Sequence, residues 1–415
     1  MERMDEQTDS LPYHQYQHFL TNSPWSANAL IAQLGQDAGA VMASEKKKSG
    51  KPTGLIVDES SHLKKGTHSV GVTRQYAGTV GKVDNCQVGV YASLCNGKRA
   101  TLIDERLFLP KDWVEDIERC EKAGIPLADI VSKTKPALAL EMVDNAISNG
   151  IAFDWVGGDG LYGHNHELCA ALEERQLLFV LDIHKDQKIY TEEPQIFIPK
   201  KKSGRGRAPS RYQTEGIAQR IDKFGKSLAS TAWKKVKIRK TTKGWLYAWI
   251  YCGEVWVWNG EEPKARKRTI IIRKAIGKEG KIVDIKYSFS NGTQQEHTIE
   301  DFAFFQAQRY WVERNFDDGK NELGMSDYQV RKWKGWHHHH AIVLMAMLFM
   351  LKEQIDKEIE YPLMSLPDAR KMVMVLIAQS IVAPQSPVKQ EIKRMRKRHF
   401  KRKKSTDWHF NNDSN

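Results

Sequence analysis

The residues point to an α/β fold in which a mixed sheet, flanked by helices, is interrupted by a β-rich insertion. Three observations carry this. The apolar runs TGLIVD, IAFDWVGGD and LLFVLDI are short enough for buried strands, and stretches of helical spacing alternate with them. Asn96-Gly97 separates two such runs with the residue pair that tight hairpins favour. Beyond Lys185 the strand-like runs follow one another with no helical pattern between them.

Residues 1–52 read as an N-terminal helical segment, with Ser23 or Asn22 ahead of Pro24 as a helix start. SEKKKSGKP (44–52) reads as a hinge into TGLIVD, where the first part of the core (53–184) begins. SSHLKKGTHSVGVTRQYAGTVGKVDN has no clean periodicity. It is either a loop-rich segment near a metal, with Lys64 and Lys65 available to phosphate, or a solvated hairpin. NCQVGVYASLC (85–95) and RATLIDERLFLP (99–110) are the strands on either side of Asn96-Gly97. KPALALEMVDNAISNG (135–150) is a helix stopped by Gly150, and IAFDWVGGD is a strand ending at Asp159. GHNHELCAALEERQ is then a helix and LLFVLDI (177–183) a buried strand.

Residues 185–298 form the basic, β-rich insertion. It opens with the Gly- and Pro-containing loop KKKSGRGRAPSR and continues through WKKVKIRK, GWLYAWIYCGEVWVWNG, KRTIIIRKAI and KIVDIKYSFSN. Trp233, Trp245, Trp249, Trp256 and Trp258 fall here. Most of them are expected to fill a small core, although tryptophans interleaved with lysines also suit stacking on unpaired bases. Residues 299–385 return to the core as helices, and AIVLMAMLFML (341–351) reads as a buried one. GWHHHH lies just ahead of it, where packing and phosphate contact suit the histidines better than a dedicated metal site. The tail, 386–415, reads as a disordered DNA-binding arm.

The net charge of +13 on 415 residues points to a polyanionic partner, most simply nucleic acid. That charge is concentrated. Residues 196–243 hold 15 Lys or Arg against Glu215 and Asp222, and residues 389–404 hold 10 against Glu391. Five cysteines with no CxxC spacing argue against zinc ribbons and disulfide frameworks, and fit a reducing compartment. The opening MERMDEQTDS is unlike a signal peptide and no apolar run reaches membrane-spanning length, so a soluble, cytoplasmic protein is expected.

The chemistry centres on RYWVERNFDDGK (309–320). On a helix, Arg309, Glu313 and Lys320 are four and seven residues apart, which sets one carboxylate between two cations on one stripe. A surface stripe of ordinary ion pairs has the same spacing. Upstream, Asp58 and Asp159 each sit at the expected C-terminal tip of a strand, where open α/β sheets place their sites. Two such aspartates and a helix glutamate would make an oxygen cage for a divalent metal.

These residues also carry a resemblance. DESSHLKKGTHSVGVTRQYAGTVGKVDNCQVGVY, LFLPKDW, VGGDGLYG and NELGMSDYQVRKWKGWHHH, in this order, resemble DDE transposases of bacterial insertion sequences. The nearest group is the insertion sequence 701 family, related to the insertion sequence 4 group, and the similarity covers roughly residues 12–350. That group carries a Tyr-Arg-Glu-Lys signature, which Arg309, Glu313 and Lys320 match, whereas Gln306 stands at the tyrosine position. The resemblance implies an RNase H-like core with the β-strand insertion between the second Asp and the Glu. It makes Asp58, Asp159 and Glu313 the catalytic, metal-binding carboxylates, and sets Arg309 and Lys320 against phosphates of the transposon end. Members often carry further N-terminal sequence for DNA binding.

The expected reaction uses two Mg²⁺ ions, with Mn²⁺ as a substitute, for cleavage at transposon ends and strand transfer into target DNA. A dimer on DNA, associated with the bacterial nucleoid, is expected from the pairing of two ends. The rival readings are an RNase H-like structure-selective endonuclease that cuts without joining, and a catalytically decayed copy that still binds DNA.

Overall fold

The structure, a computed structural model, describes residues 13–200, 207–241, 244–277, 280–381 and 387–412. Part of the predicted basic loop, 201–206, lies outside the described residues. The chain opens with α1 (Tyr13–Thr21), α2 (Ala27–Ser49), β1 (Gly54–Leu63), β2 (Thr73–Ala77), β3 (Lys82–Asn96) and β4 (Arg99–Leu107). Then come α3 (Lys111–Val114), α4 (Ile117–Ala123), α5 (Lys135–Ser148), β5 (Trp155–Gly158), α6 (Gly160–Gly163), α7 (His166–Glu174) and β6 (Leu178–Ile183). Four two-residue strands follow, β7 (Lys188–Ile189), β8 (Ile196–Phe197), β9 (Gln213–Thr214) and β10 (Gln219–Arg220), and then α8 (Ile221–Ser227). The long strands are β11 (Lys234–Thr241), β12 (Gly244–Val257), β13 (Arg266–Ile276) and β14 (Ile282–Ser290). Helices α9 (Ile299–Glu322), α10 (Trp333–Asp356), α11 (Leu366–Ile381) and α12 (Pro387–Asn412) complete the chain.

The fold is therefore mixed α/β, and it divides into two compact units. One holds residues 1–153 and 310–405, the other 154–309 and 406–415, so the division falls inside α9.

In the first unit β1, β2 and β4 all pair antiparallel with β3. The helix start expected at Asn22 or Ser23 is instead at Ser26, whose hydroxyl accepts the N–H of Ala29. Pro24 thus precedes the cap rather than following it. The expected hinge at 44–52 is largely helix, because α2 runs on to a left-handed Gly50. The β3–β4 hairpin is as expected, but its turn is one residue further on. Asn96 still pairs with Arg99, and Gly97 takes the positive φ of 60°. The Asn96 amide donates instead to Lys51 O at 2.7 Å and Thr53 Oγ1 at 3.2 Å. Helix α10 buries Trp336, His340, Leu344, Met347 and Leu351, a stripe of helical spacing, while Met345 and Phe349 stay exposed.

In the second unit the strand order is β11–β12–β13–β14–β6–β5. Strands β5 and β6 are parallel; β14 joins β6 antiparallel, with Phe289 opposite Leu181. The β-rich segment is thus hydrogen-bonded directly to β6. Its core is aliphatic: Ile183, Ile189, Ile221, Val255, Val257, Ile270 and Ile272 with Phe289. The expectation that most of the tryptophans fill this core is overturned. None of the five is fully buried, and Trp249 is 37% exposed. Alternation along β12 and β13 gives the inner positions to Val and Ile, whose branched side chains pack closely on a pleated surface. The helix expected over GHNHELCAALEERQ is α7, which starts where the Asn165 side chain accepts the N–H of Leu168; the short α6 precedes it.

The basic tail corrects another expectation. Within it, α12 is a helix and not a disordered arm, with Met395 and His399 buried. Among the described residues no helix is long and apolar enough to cross a membrane.

Candidate active site

Asp58 lies in the middle of β1, opposite Tyr91 of β3, and not at a strand tip as expected. The strand continues because its polar residues are satisfied inside the unit. Ser61 Oγ lies 2.9 Å from Thr79 Oγ1, and His62 Nε2 lies 2.9 Å from the Tyr91 hydroxyl. The segment first read as a loop or hairpin is accordingly the end of β1, a connection, and the β2–β3 hairpin. Asp58 is 8% exposed, and its Oδ1 accepts the N–H of Glu59 at 2.8 Å.

Asp159 is the first residue after β5, as expected. It caps α6, with Oδ1 accepting the N–H of Leu161 at 2.9 Å. The turn that carries it is pressed against β6: a Cβ on Gly163 would lie 2.0 Å from the Asp182 carbonyl oxygen. Only glycine fits there, which ties the Asp159 turn to the β6 backbone.

Glu313 is exposed on α9. Asp58 and Glu313 belong to the first unit and Asp159 to the second. The cations of the α9 stripe engage further groups. In the second unit Arg309 Nε lies 3.0 Å from Asp182 Oδ2. In the first, the Lys320 ammonium donates to Ser61 O at 2.9 Å and Thr79 Oγ1 at 3.0 Å. Lys64 donates to Tyr328 O at 3.0 Å and stands 3.7 Å from the centre of that ring, whereas Lys65 is exposed. Burial lowers both Lys64 and Lys320 to about 8, and neither ammonium has a carboxylate partner among the described residues. Both also disfavour protonation of the buried His62.

Of the packing and phosphate contact expected for the histidine run, the structure shows the packing. His338 lies between Leu20 O and Trp25 O, at 2.9 Å from each. His337 Nδ1 lies 2.5 Å from Glu105 Oε1, and the Trp336 indole donates to Glu105 Oε2 at 2.7 Å. Burial pushes the Glu105 carboxyl up, but His337 and these bonds outweigh it and hold the group at about 2. Burial lowers His339 to about 3 and His340 to about 4.

One network is absent from the sequence reading. The Gln306 side-chain amide donates to Ser288 Oγ at 2.6 Å, and the Ser288 hydroxyl donates to Asp182 Oδ1 at 2.6 Å. Gln306, the residue at the tyrosine position, is 4% exposed and holds, through Ser288, the carboxylate that pairs with Arg309. The signal was available: Asp182 is the one acid in the apolar run LLFVLDI, next to its last residue, much as Asp159 follows IAFDWVGG.

Among the described residues no group of three or more His, Cys, Asp or Glu stands together to hold a metal ion. The donor chemistry of Asp58, Asp159 and Glu313 nonetheless suits a hard divalent cation, being three carboxylates without a soft ligand. Two of the three are already oriented by backbone N–H groups.

Residues 1–245 match the family model described as DDE superfamily endonuclease. A probable transposase for insertion sequence element IS701 from Microchaete diplosiphon is 29% identical over 175 residues, 41% of this chain and 41% of that protein. The match thus spans about two fifths of that relative's length.

Proposed function

Since the chain belongs to the DDE superfamily endonucleases, we propose that it is a transposase that cleaves DNA at the ends of an insertion sequence and joins them to target DNA. The observation that carries this is the matched stretch itself. It spans both Asp58, on a buried strand, and Asp159, capping a helix at a strand end. The similarity to a probable insertion-sequence transposase supports the same reading.

In this reading the core is RNase H-like, with 53–184 and 299–385 as its two parts. Residues 1–52 precede it, 185–298 are inserted, and 386–415 form the basic tail. Asp58, Asp159 and Glu313 would hold two Mg²⁺ ions, for which Mn²⁺ substitutes. When bound, the metal supplies an activated water and stabilisation of the leaving 3′ oxygen. The protein's own groups do the positioning. Backbone N–H groups hold one oxygen each of Asp58 and Asp159, and Asp182 holds the Arg309 guanidinium. Arg309, Lys64, Lys65 and Lys320 bind DNA phosphates. The ammoniums of Lys64 and Lys320 are already desolvated, so little water must be stripped when a phosphate arrives. The enzyme works as a dimer on DNA, in the nucleoid-bearing cytoplasm of a bacterium.

The test is a plasmid that carries the gene with its native flanking DNA, incubated with the protein and Mg²⁺. Border cuts whose 3′ ends are joined to new DNA are the expected product. Cuts without joining would replace the transposase reading with an endonuclease.

A further inference from the structure

The basic helix α12 presents two stripes of identical spacing on opposite sides. One is docked. Met395 packs with Met350, Tyr361, Met364 and Met372. His399 is fully buried, edge-on to Tyr361 with ring centres 6.1 Å apart. Arg402 donates to Asp368 Oδ2 at 2.8 Å. These three residues are spaced by four and three, one face of a helix.

Lys397, Lys401 and Lys404 repeat that spacing two residues later. At about 100° per residue, this sets them on the side away from the docked stripe. All three are exposed, as are Arg398 and Lys403 beside them, and among the described residues none of the five has a carboxylate partner. A solvated surface helix usually alternates Glu with Lys, because like charges four apart repel by a few tenths of a kcal/mol, roughly. Here no acid falls between Glu391 and Asp407. The docked stripe keeps this self-repelling array helical, and a dense line of negative charge would relieve the repulsion.

We propose that the Lys397–Lys401–Lys404 face of α12 is a preformed, rigid site for the phosphate backbone of double-stranded DNA, separate from the cleavage residues. The three lysines span about 10 Å along the axis, and duplex DNA offers one charge per roughly 1.7 Å. One exposed aromatic, Phe400, borders the stripe, three residues from Lys397 and four from Lys404; a single ring falls short of the successive aromatics on which single strands stack, so the lysine row favours a duplex. The proposal rests on the transposase reading only for the identity of the polyanion.

The test compares the full-length protein with the triple variant Lys397→Gln/Lys401→Gln/Lys404→Gln, using a short random-sequence duplex and its single strand as probes. The variant should keep its helical circular dichroism, and its log–log salt slope on the duplex should fall by about two to three. An unchanged slope, or loss confined to the single strand, overturns the proposal. If neither protein cleaves but the slope still falls, the surface stands and the transposase reading fails.

Discussion

Arg309 Nε and Asp182 Oδ2 are 3.0 Å apart, and the other oxygen of Asp182 is held by Ser288. The guanidinium of the signature helix is thus fixed by a carboxylate at the end of β6 and, through Ser288, by the buried Gln306. A bond to a charged group contributes about 1.5–3 kcal/mol. Asp182→Ala should therefore lower the urea stability of the protein by about that amount, and Gln306→Leu by roughly 1 kcal/mol. If Arg309 binds phosphate, Asp182→Ala should also weaken DNA binding about as much as Arg309→Ala does. An Asp182→Ala protein with parental stability would remove this chain of contacts from the account.

Gly163→Ala tests the seat of Asp159. The added Cβ meets the Asp182 carbonyl oxygen at 2.0 Å, and backbone atoms there cannot swing aside. Overpacking of this kind costs about 1–3 kcal/mol. The expected protein is destabilised by that amount and cleaves poorly even where it is folded, because the capping turn has moved. Parental thermal stability and cleavage would show that the turn tolerates displacement.

How much of this was legible follows from which residues carry each feature. Asp159 was readable because apolar residues and glycines end directly at it. Asp58 stands out as a candidate in the sequence, but its place in mid-strand does not. The apolar run stops at Asp58, yet Ser60, Ser61 and His62 continue the strand with buried polar side chains. Their partners, Thr79 and Tyr91, lie 18 and 29 residues away, beyond any local pattern. The tail was misread for a related reason: Met395 and His399, the residues that dock it, are scattered among ten cations. Between residues 185 and 298 the strands are plain in the sequence, but period-2 alternation does not say which face the tryptophans take. Gln306 looked like a lost tyrosine in the sequence and is a hydrogen-bonded member of the Asp182 network in the structure.

The buried histidines of the first unit give a pH prediction. Burial keeps His62 well below 6.5, His339 at about 3 and His340 at about 4, so the unfolded chain binds more protons than the folded one below 6.5. Their contribution is complete above pH 6.5 and is lost as pH falls toward 4, by about 1.4 kcal/mol per pH unit for each group titrating. Thermal midpoints measured across this window should drop with acid. Replacing His340 by Gln should flatten the drop, and an unchanged profile would contradict the assignment.

Lys64 and Lys320, lowered to about 8 by burial, lose their charge as pH rises through that value. DNA affinity at fixed salt should decline as pH is raised through it, and Lys64→Met/Lys320→Met should remove that decline. Each lysine should account for roughly tenfold in affinity at neutral pH. A pH-independent affinity would exclude the pair from phosphate binding.

The central claim is that Asp58, Asp159 and Glu313 act as one metal-dependent site. The direct measurement is Mg²⁺-dependent cleavage of a border-containing plasmid by the parent protein and by Asp58→Asn, Asp159→Asn and Glu313→Gln, with DNA binding followed in parallel. The account predicts that each variant binds DNA like the parent and cleaves at least about a hundredfold more slowly. Cleavage at the parental rate by any one of the three, with binding intact, would contradict it.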